Sequence, residues 1–506
     1  MEYEGDFDAT ATDSAARAQA LLERGVAATK AGDHDAGRAL LAESEEVAAA
    51  AGLTATAIAA HINRGWTFWV QGDADAALPF YREGAERARD AGDTERLHVG
   101  LANLGVALRR LGRHDEVITA YEEYLPHLSD NPPAAIQAHL RCGAVQGEMG
   151  DLDAASGHLG EAERLADAWE LREHMPAIRL NQGLIEERRG DTAAAIDLYW
   201  DALDIAREIR SEDDLANATI ALAHAYDRAG DHGRADTCFS EAEGLFRTAG
   251  DTAALADALH AHGVSLQQSG LLDRAVEAWG EEASLRRELK DHAGLGEALF
   301  EHIRAVHGRQ EPPEMNLMFA EAADAYRLAG NMRLVADVQY THAQWLRGRD
   351  LDDMAYERVK GAVAAVEAVA HPVTECLARG LYAMMLAEDG EFAQADEEIE
   401  AAEAAGRASS EHSVIVGVLA RRAYVSARAG RPIDDVISQL EAAYDYAVDH
   451  LPPAVGIQAI DDLATQIRES CGRQYREPLR AFVEGLKQPR EARDDGADAE
   501  NDSRVP

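Results

Sequence analysis

Asn63, Asn103 and Asn181 stand in HINRGW, LANLGV and RLNQGL, each two residues before a glycine and three before a large apolar residue. An asparagine side chain carries a donor and an acceptor, so a row of them can hold the backbone of an extended peptide without reading its side chains. Asparagine is disfavoured inside helices because its amide competes with the backbone. Its return at one register therefore points to use. The stretch NRGWTFWVQGD adds Trp66 and Trp69, in a chain with only 6 Trp, and exposed aromatics of this kind serve as anchors for a partner. Arg110, Arg141, Arg188, Arg228 and His224 fall at neighbouring register positions, where guanidinium groups suit the carboxylates of a bound segment. These ten residues form the expected binding site. The competing reading is a solvated wall, with the arginines paired to Glu148 and Glu187 and the tryptophans packed on the first repeat.

Other chemistry is absent. No G-x-x-x-x-G-K-[ST], G-x-G-x-x-G, H-E-x-x-H or G-x-S-x-G occurs in a supporting context. His260 and His262 are two apart and diverge on a helix, and His302 and His307 are five apart, so neither pair suits one metal. His34, His114 and His232 share a turn position and read as solvated. No nucleophile has a visible partner. The expectation is no catalytic residue, no metal, no cofactor and no enzyme.

The net charge of −43, from 92 acidic and 49 basic residues, argues against nucleic acid, which needs a basic footprint, and against anionic membranes. The acidity fits general solubility or adaptation to high salt. Cys142, Cys238, Cys376 and Cys471 lie far apart and read as buried free thiols in a reducing compartment. The N-terminus has no signal-peptide pattern and no stretch approaches 18 apolar residues. The expected location is the cytoplasm.

The elements that position these residues repeat. A turn signature recurs as AGDHDAG at Gly32, QGDADAA at Gly72, LGRHDEV at Gly112, MGDLDAA at Gly150, RGDTAAA at Gly190, AGDHGRA at Gly230 and SGLLDRA at Gly270. Weaker echoes at Gly308, Gly348, Gly390 and Gly430 bring the number to eleven, at a period of 38 to 42 residues. Seven residues before the turn stands a second glycine (Gly25, Gly65, Gly105, Gly143, Gly183, Gly263), replaced by Ala223 in one unit. A mid-helix glycine costs roughly 1 kcal/mol against alanine, so a close helix approach must offset it. Five residues after the turn comes a small residue, and four further on Tyr81, Tyr121, Tyr199, Phe239 or Trp279. Small and large residues at i and i+4 share a helix face. The turn glycine ends one helix and the Asp after it caps the next. Each unit thus reads helix, turn, helix, turn, and low proline with abundant Ala, Leu, Glu and Arg fits an all-α chain.

This pattern resembles the tetratricopeptide repeat. Leu104-Gly105, Gly112, Val117 and Tyr121 carry the resemblance, as do Gly183, Gly190, Ala195, Tyr199 and Ala202. A period of 40 is similar to the long-helix branch that includes kinesin light chains, Pins-type scaffolds and bacterial Rap-like peptide receptors. The resemblance implies an all-α, right-handed superhelical solenoid of about eleven repeats whose concave face binds a peptide or protein segment. It also implies a backbone-holding role for asparagines at the register of Asn63, Asn103 and Asn181. The expected organisation is a disordered acidic N-terminal arm (1–13), a regular array (14–300), a divergent array (301–470), a capping helix (471–487) around REPLRAFVEGLK, and a disordered tail (488–506). In the divergent part, Glu301 and Thr341 stand at the helix glycine. The expected function is a non-enzymatic scaffold or adaptor. The alternatives are a peptide-responsive switch acting in trans on an effector such as a transcription factor, and a self-associating homo-oligomer.

Overall fold

The computed structural model describes residues 5–309 and 313–486, with side chains from residue 14 onward except 453–457 and 459. The tail read at 488–506 and the first four residues of the arm lie outside it. Every regular element among the described residues is helical, and the chain divides into two compact units, Met1–Ala258 and Leu259–Pro506.

The N-terminal unit holds α1 (Gly5–Lys30), α2 (His34–Ala50), α3 (Thr54–Val70), α4 (Ala74–Asp90), α5 (Thr94–Arg110), α6 (His114–Tyr124), α7 (Pro132–Met149), α8 (Leu152–Ala168), α9 (Met175–Arg189), α10 (Thr192–Ile209), α11 (Glu212–Arg228) and α12 (His232–Ala249). The division falls in α13 (Thr252–Gln268). The C-terminal unit continues with α14 (Leu272–Leu289), α15 (His292–Val306), α16 (Met315–Leu328), α17 (Met332–Arg347), α18 (Asp352–Glu367), α19 (Pro372–Asp389), α20 (Phe392–Ser409), α21 (His412–Arg428), α22 (Ile433–His450), α23 (Pro453–Ser470) and α24 (Arg476–Leu486). Odd-numbered helices open each pair and are called A helices; even-numbered ones close it and are called B helices. Because α1 begins at Gly5, residues 5–13, read from sequence as part of a disordered arm, extend the first helix.

The helix glycines are notches, as the sequence predicts. A Cβ on Gly105 would lie 2.9 Å from the Tyr121 ring, and one on Gly263 would lie 2.5 Å from the Trp279 indole. Gly65 and Gly183 face Tyr81 and Tyr199 in the same way, and all four aromatic side chains are buried. Ala77, Ala155, Ala195, Ala235 and Ala275, at the small-residue position of their repeats, are fully buried. The turn chemistry also follows the sequence. Gly150 takes φ +87°, open to glycine at no steric cost, and Asp151 accepts from the Ala154 amide at 3.1 Å to cap α8. Asp33, Asp73, Asp191 and Asp231 cap their helices through the same contact.

Two positions differ from the sequence reading. The ninth turn places its left-handed residue at Asp350 (φ +58°), while Gly348 has an ordinary negative φ. Counting back seven residues from Asp350 gives Ala343, fully buried, so Ala343 and not Thr341 stands in the helix-glycine place. In the eighth pair the notch is Gly296, whose Cβ would meet the Tyr326 ring at 2.8 Å; Glu301 is half-buried and its carboxylate pairs with Arg304 at 2.9 Å. At the C-terminal end α24 packs against α22 and α23, burying Leu479, Val483 and Leu486 and covering the apolar side that a stacked array leaves open at its end.

Within the N-terminal unit α1, α3, α5, α7, α9 and α11 each touch the next, whereas no two B helices make a comparable contact. The A helices are the closer-packed layer, and therefore line the inside of that unit's curvature.

Candidate functional site

Four residues of each A helix, at thirteen, nine, six and two positions before the turn glycine, share one side because these offsets follow the helical repeat. In α3 they are Ala59, Asn63, Trp66 and Val70; in α5, Val99, Asn103, Val106 and Arg110; in α7, Gln137, Arg141, Ala144 and Glu148. In α9 they are Ala177, Asn181, Leu184 and Arg188, and in α11, Asn217, Ala221, His224 and Arg228. None of the twenty is buried. Val106 and Leu184 are 41% and 45% exposed, high for large apolar side chains on a packed helix.

Nine of the ten residues singled out from sequence lie in these rows, brought to one layer by consecutive helices. Their engagement differs. Asn63 and Asn181 each donate through Nδ2 to the carbonyl four residues earlier, Ala59 and Ala177, both at 2.8 Å. That bond fixes the amide and leaves Oδ1 and the second N–H without a partner among the described residues. The tenth residue, Trp69, leans on the core built around Leu101 and Leu104, and the Arg110 guanidinium covers its ring at 5.3 Å. Trp69 and Arg110 thus meet each other, a cation–π contact between α3 and α5. Trp66 is half-buried with no such cover. His224 is exposed and stands edge-on to Phe239 at 5.3 Å. Arg228 pairs with Glu187, and Arg109 pairs with Glu148. Arg110, Arg141 and Arg188 make no ion pair among the described residues.

The rows extend one step further than the sequence reading took them. Ala59, Val99, Gln137, Ala177 and Asn217 were legible as the same register carried back one turn.

The C-terminal unit treats the corresponding side differently. In α19 the A-layer positions Leu381 and Met384 are buried, as is Tyr424 in α21. Glu388 accepts from the Tyr424 hydroxyl at 2.7 Å and from Arg347 at 2.8 Å. Arg421 lies against Gly380 and donates to the Leu377 carbonyl. Helices α17, α19, α21 and α23 touch in series.

A second polar cluster escaped sequence reading. Glu45 of α2 accepts from His61 (3.0 Å) and Arg64 (2.8 Å) of α3 and from Arg87 of α4 (2.7 Å). Burial opposes its charge, but the hydrogen bonds from His61, Arg64 and Arg87 outweigh burial and hold the carboxyl down to about 2. The same spacing of nineteen residues joins Glu163 to Gln182 (2.8 Å) and Glu403 to Arg422 (2.6 Å), a bond from each B helix to the next A helix. These are stitches between repeats.

In the same layer His139 and His158 share a hydrogen bond between Nδ1 atoms at 2.9 Å. Burial first, and the neighbouring His158 second, hold His139 down to about 4. Of the turn histidines read as solvated, His34 and His114 are half-buried with Nδ1 unpartnered, and His232 bonds to Asp227 at 2.9 Å. No group of three or more His, Cys, Asp or Glu among the described residues is placed to hold a metal. No helix among them is long and apolar enough to cross a membrane.

The family model for the tetratricopeptide repeat matches residues 174–248, which comprise α9 to α12. No curated protein matches the chain. Among solved structures the chain is similar to the apo form of RapI, at 12% identity over 74% of this chain and 98% of that one, with a TM-score of 0.48. It is similar to a Rap protein complexed with Competence and Sporulation Factor at 15% identity over 70% and 98%, TM-score 0.43. It is also similar to aspartyl phosphate phosphatase F from Bacillus subtilis at 14% identity over 69% and 93%, TM-score 0.39.

Proposed function

We propose that this chain, a tetratricopeptide-repeat protein by the match over residues 174–248 and by the same helix pair repeated on either side of it, is a non-enzymatic scaffold. In this reading the A layer of the N-terminal unit holds a peptide or protein segment. One observation carries it: none of the twenty side chains in the four rows of five consecutive A helices is buried, with amides at one row and large apolar residues at the next on α3, α5 and α9, whereas the two middle positions of α19, Leu381 and Met384, are buried. The amides of Asn63 and Asn181, each tied only to its own helix, make no bond to a neighbouring helix among the described residues. A segment crossing α3, α5 and α9 would place its backbone N–H groups on the Oδ1 atoms of Asn63, Asn103 and Asn181, and apolar side chains on Trp66, Val106 and Leu184.

The test is recovery of a partner from native lysate by the wild-type chain and by the Asn63→Ala, Asn103→Ala, Asn181→Ala variant. The three side chains are half-buried, and the bonds of Asn63 and Asn181 go only to their own helices, so circular dichroism of the two should agree. Loss of three net hydrogen bonds of roughly 0.5–1.5 kcal/mol each predicts at least tenfold weaker retention by the variant. Equal retention removes the amide row from the mechanism.

A further inference from the structure

We infer that the segment held on this layer is acidic and extended, with a carboxylate at every third residue over the stretch that crosses α5, α7 and α9. The inference rests on the reading that this layer holds a segment.

The first ground is an inversion of charge. The chain has 92 acidic residues against 49 basic ones, yet the twenty open positions on α3 to α11 contain four arginines and one acid, Glu148. Glu148 is already paired with Arg109. Elsewhere arginines find carboxylates readily: Arg64, Arg87 and Arg113 reach theirs at 2.8, 2.7 and 2.6 Å. Arg110, Arg141 and Arg188 are exposed and have no ion pair among the described residues. Solvation alone gives no reason to clear acids from one layer of so acidic a molecule, whereas a carboxylate-bearing ligand does. The molecule's net negative charge is screened beyond a Debye length of about 10 Å at 0.1 M salt, so the near field of this layer decides what stays bound.

The second ground is register. Packed helices lie about 8–10 Å apart and an extended chain advances about 3.3 Å per residue, so consecutive A helices are reached about every third residue. Side chains of an extended segment alternate sides, so residues i and i+6 share one side and i+3 takes the other. The arginines alternate in the same way. Arg110 and Arg188 lie two positions before their turn glycines, and Arg141 on the helix between them lies nine before, in the row that holds asparagine on α3, α5 and α9. An edge-on segment places carboxylates i and i+6 on Arg110 and Arg188, and carboxylate i+3 on Arg141. This also accounts for the departure of α7 from the pattern of its neighbours, with arginine where they have asparagine and Glu148 where they have arginine.

The test is selection from a display library of random peptides about thirteen residues long on the full-length chain. Parallel selections use the Arg110→Glu, Arg141→Glu, Arg188→Glu variant and the triple asparagine variant, each with circular dichroism as the check on folding. The expected result is enrichment of Asp or Glu at three-residue spacing on the wild type. The best such peptide, fluorescein-labelled, should bind the charge-reversed variant on the order of tenfold more weakly by anisotropy, since exposed pairs contribute modestly one by one. Enriched peptides that are neutral or basic, and that need the asparagines but not the arginines, would overturn this inference and leave the groove standing. Enrichment of nothing on the wild type would remove both.

Discussion

Trp279→Ala is expected to destabilise the C-terminal unit by about 3–5 kcal/mol, the range for truncating a large aromatic in a close-packed interior. Trp279 is fully buried, and its indole is within 2.5 Å of where a Cβ on Gly263 would lie. The two positions should therefore be coupled. Gly263→Ala in the wild type gains about 1 kcal/mol of helix propensity but forces the indole from its seat, at about 1–3 kcal/mol for overpacking. In the Trp279→Ala background that seat is empty, so Gly263→Ala becomes neutral or stabilising. Urea unfolding of the four proteins, followed by circular dichroism at the first transition, measures the coupling. Additive effects would mean that glycine and aromatic do not form a notch and knob. Repeat arrays melt by neighbouring units, so the shift should appear in the transition of the C-terminal unit.

Glu45→Gln is expected to remove about 3 kcal/mol at neutral pH, taking the 1.36 kcal/mol per unit of pKa shift between an ordinary carboxyl at 4.5 and about 2 in the folded chain. The sign follows from the depressed value. The folded state holds the carboxylate ionised where the unfolded chain protonates it, so the contribution is present above about 4.5 and is lost as the pH falls towards 2. The stability difference between wild type and variant should be small near pH 2, rise through pH 4.5 and stay level above it. Stability curves that run parallel from pH 2 to 6 would mean that His61, Arg64 and Arg87 do not hold this carboxylate.

The helix pairs were legible because their signals are local and repeated. Gly105 with Tyr121, or Gly150 with Asp151, states in a few residues where a helix must end or a neighbour must approach. The ninth turn was misread because Gly348 drew attention from Asp350 (φ +58°), an aspartate, one of the few residue types other than glycine that visit the left-handed conformation. The row of Asn63, Asn103 and Asn181 was legible as a register. Its orientation was not, since the bonds to Ala59 and Ala177 depend on rotamer. The cover of Arg110 over Trp69 joins residues 41 positions apart in different helices, and nothing in either stretch announces it. Glu45 was hidden for a plainer reason: among 92 acidic residues one buried carboxylate has no compositional mark, and only its spacing of nineteen from Arg64, repeated at Glu163 and Glu403, could have given it away. The closure of the layer in the C-terminal unit was missed because Leu381, Met384 and Met385 read as ordinary apolar helix. That α19 is buried nearly all round depends on how tightly α21 approaches it, which Gly380 permits and Arg421 exploits.

The central claim is that partners are held on the A layer of the N-terminal unit. The measurement that tests it most directly is photo-crosslinking in native lysate, with benzoylphenylalanine placed in turn at Val106, at Leu184 and, on the opposite side of the array, at the exposed Glu123 of α6. The account predicts one and the same partner crosslinked from positions 106 and 184 and not from 123, with the crosslink lost in the triple asparagine variant. A partner captured from position 123 alone, or equally from all three, would contradict it.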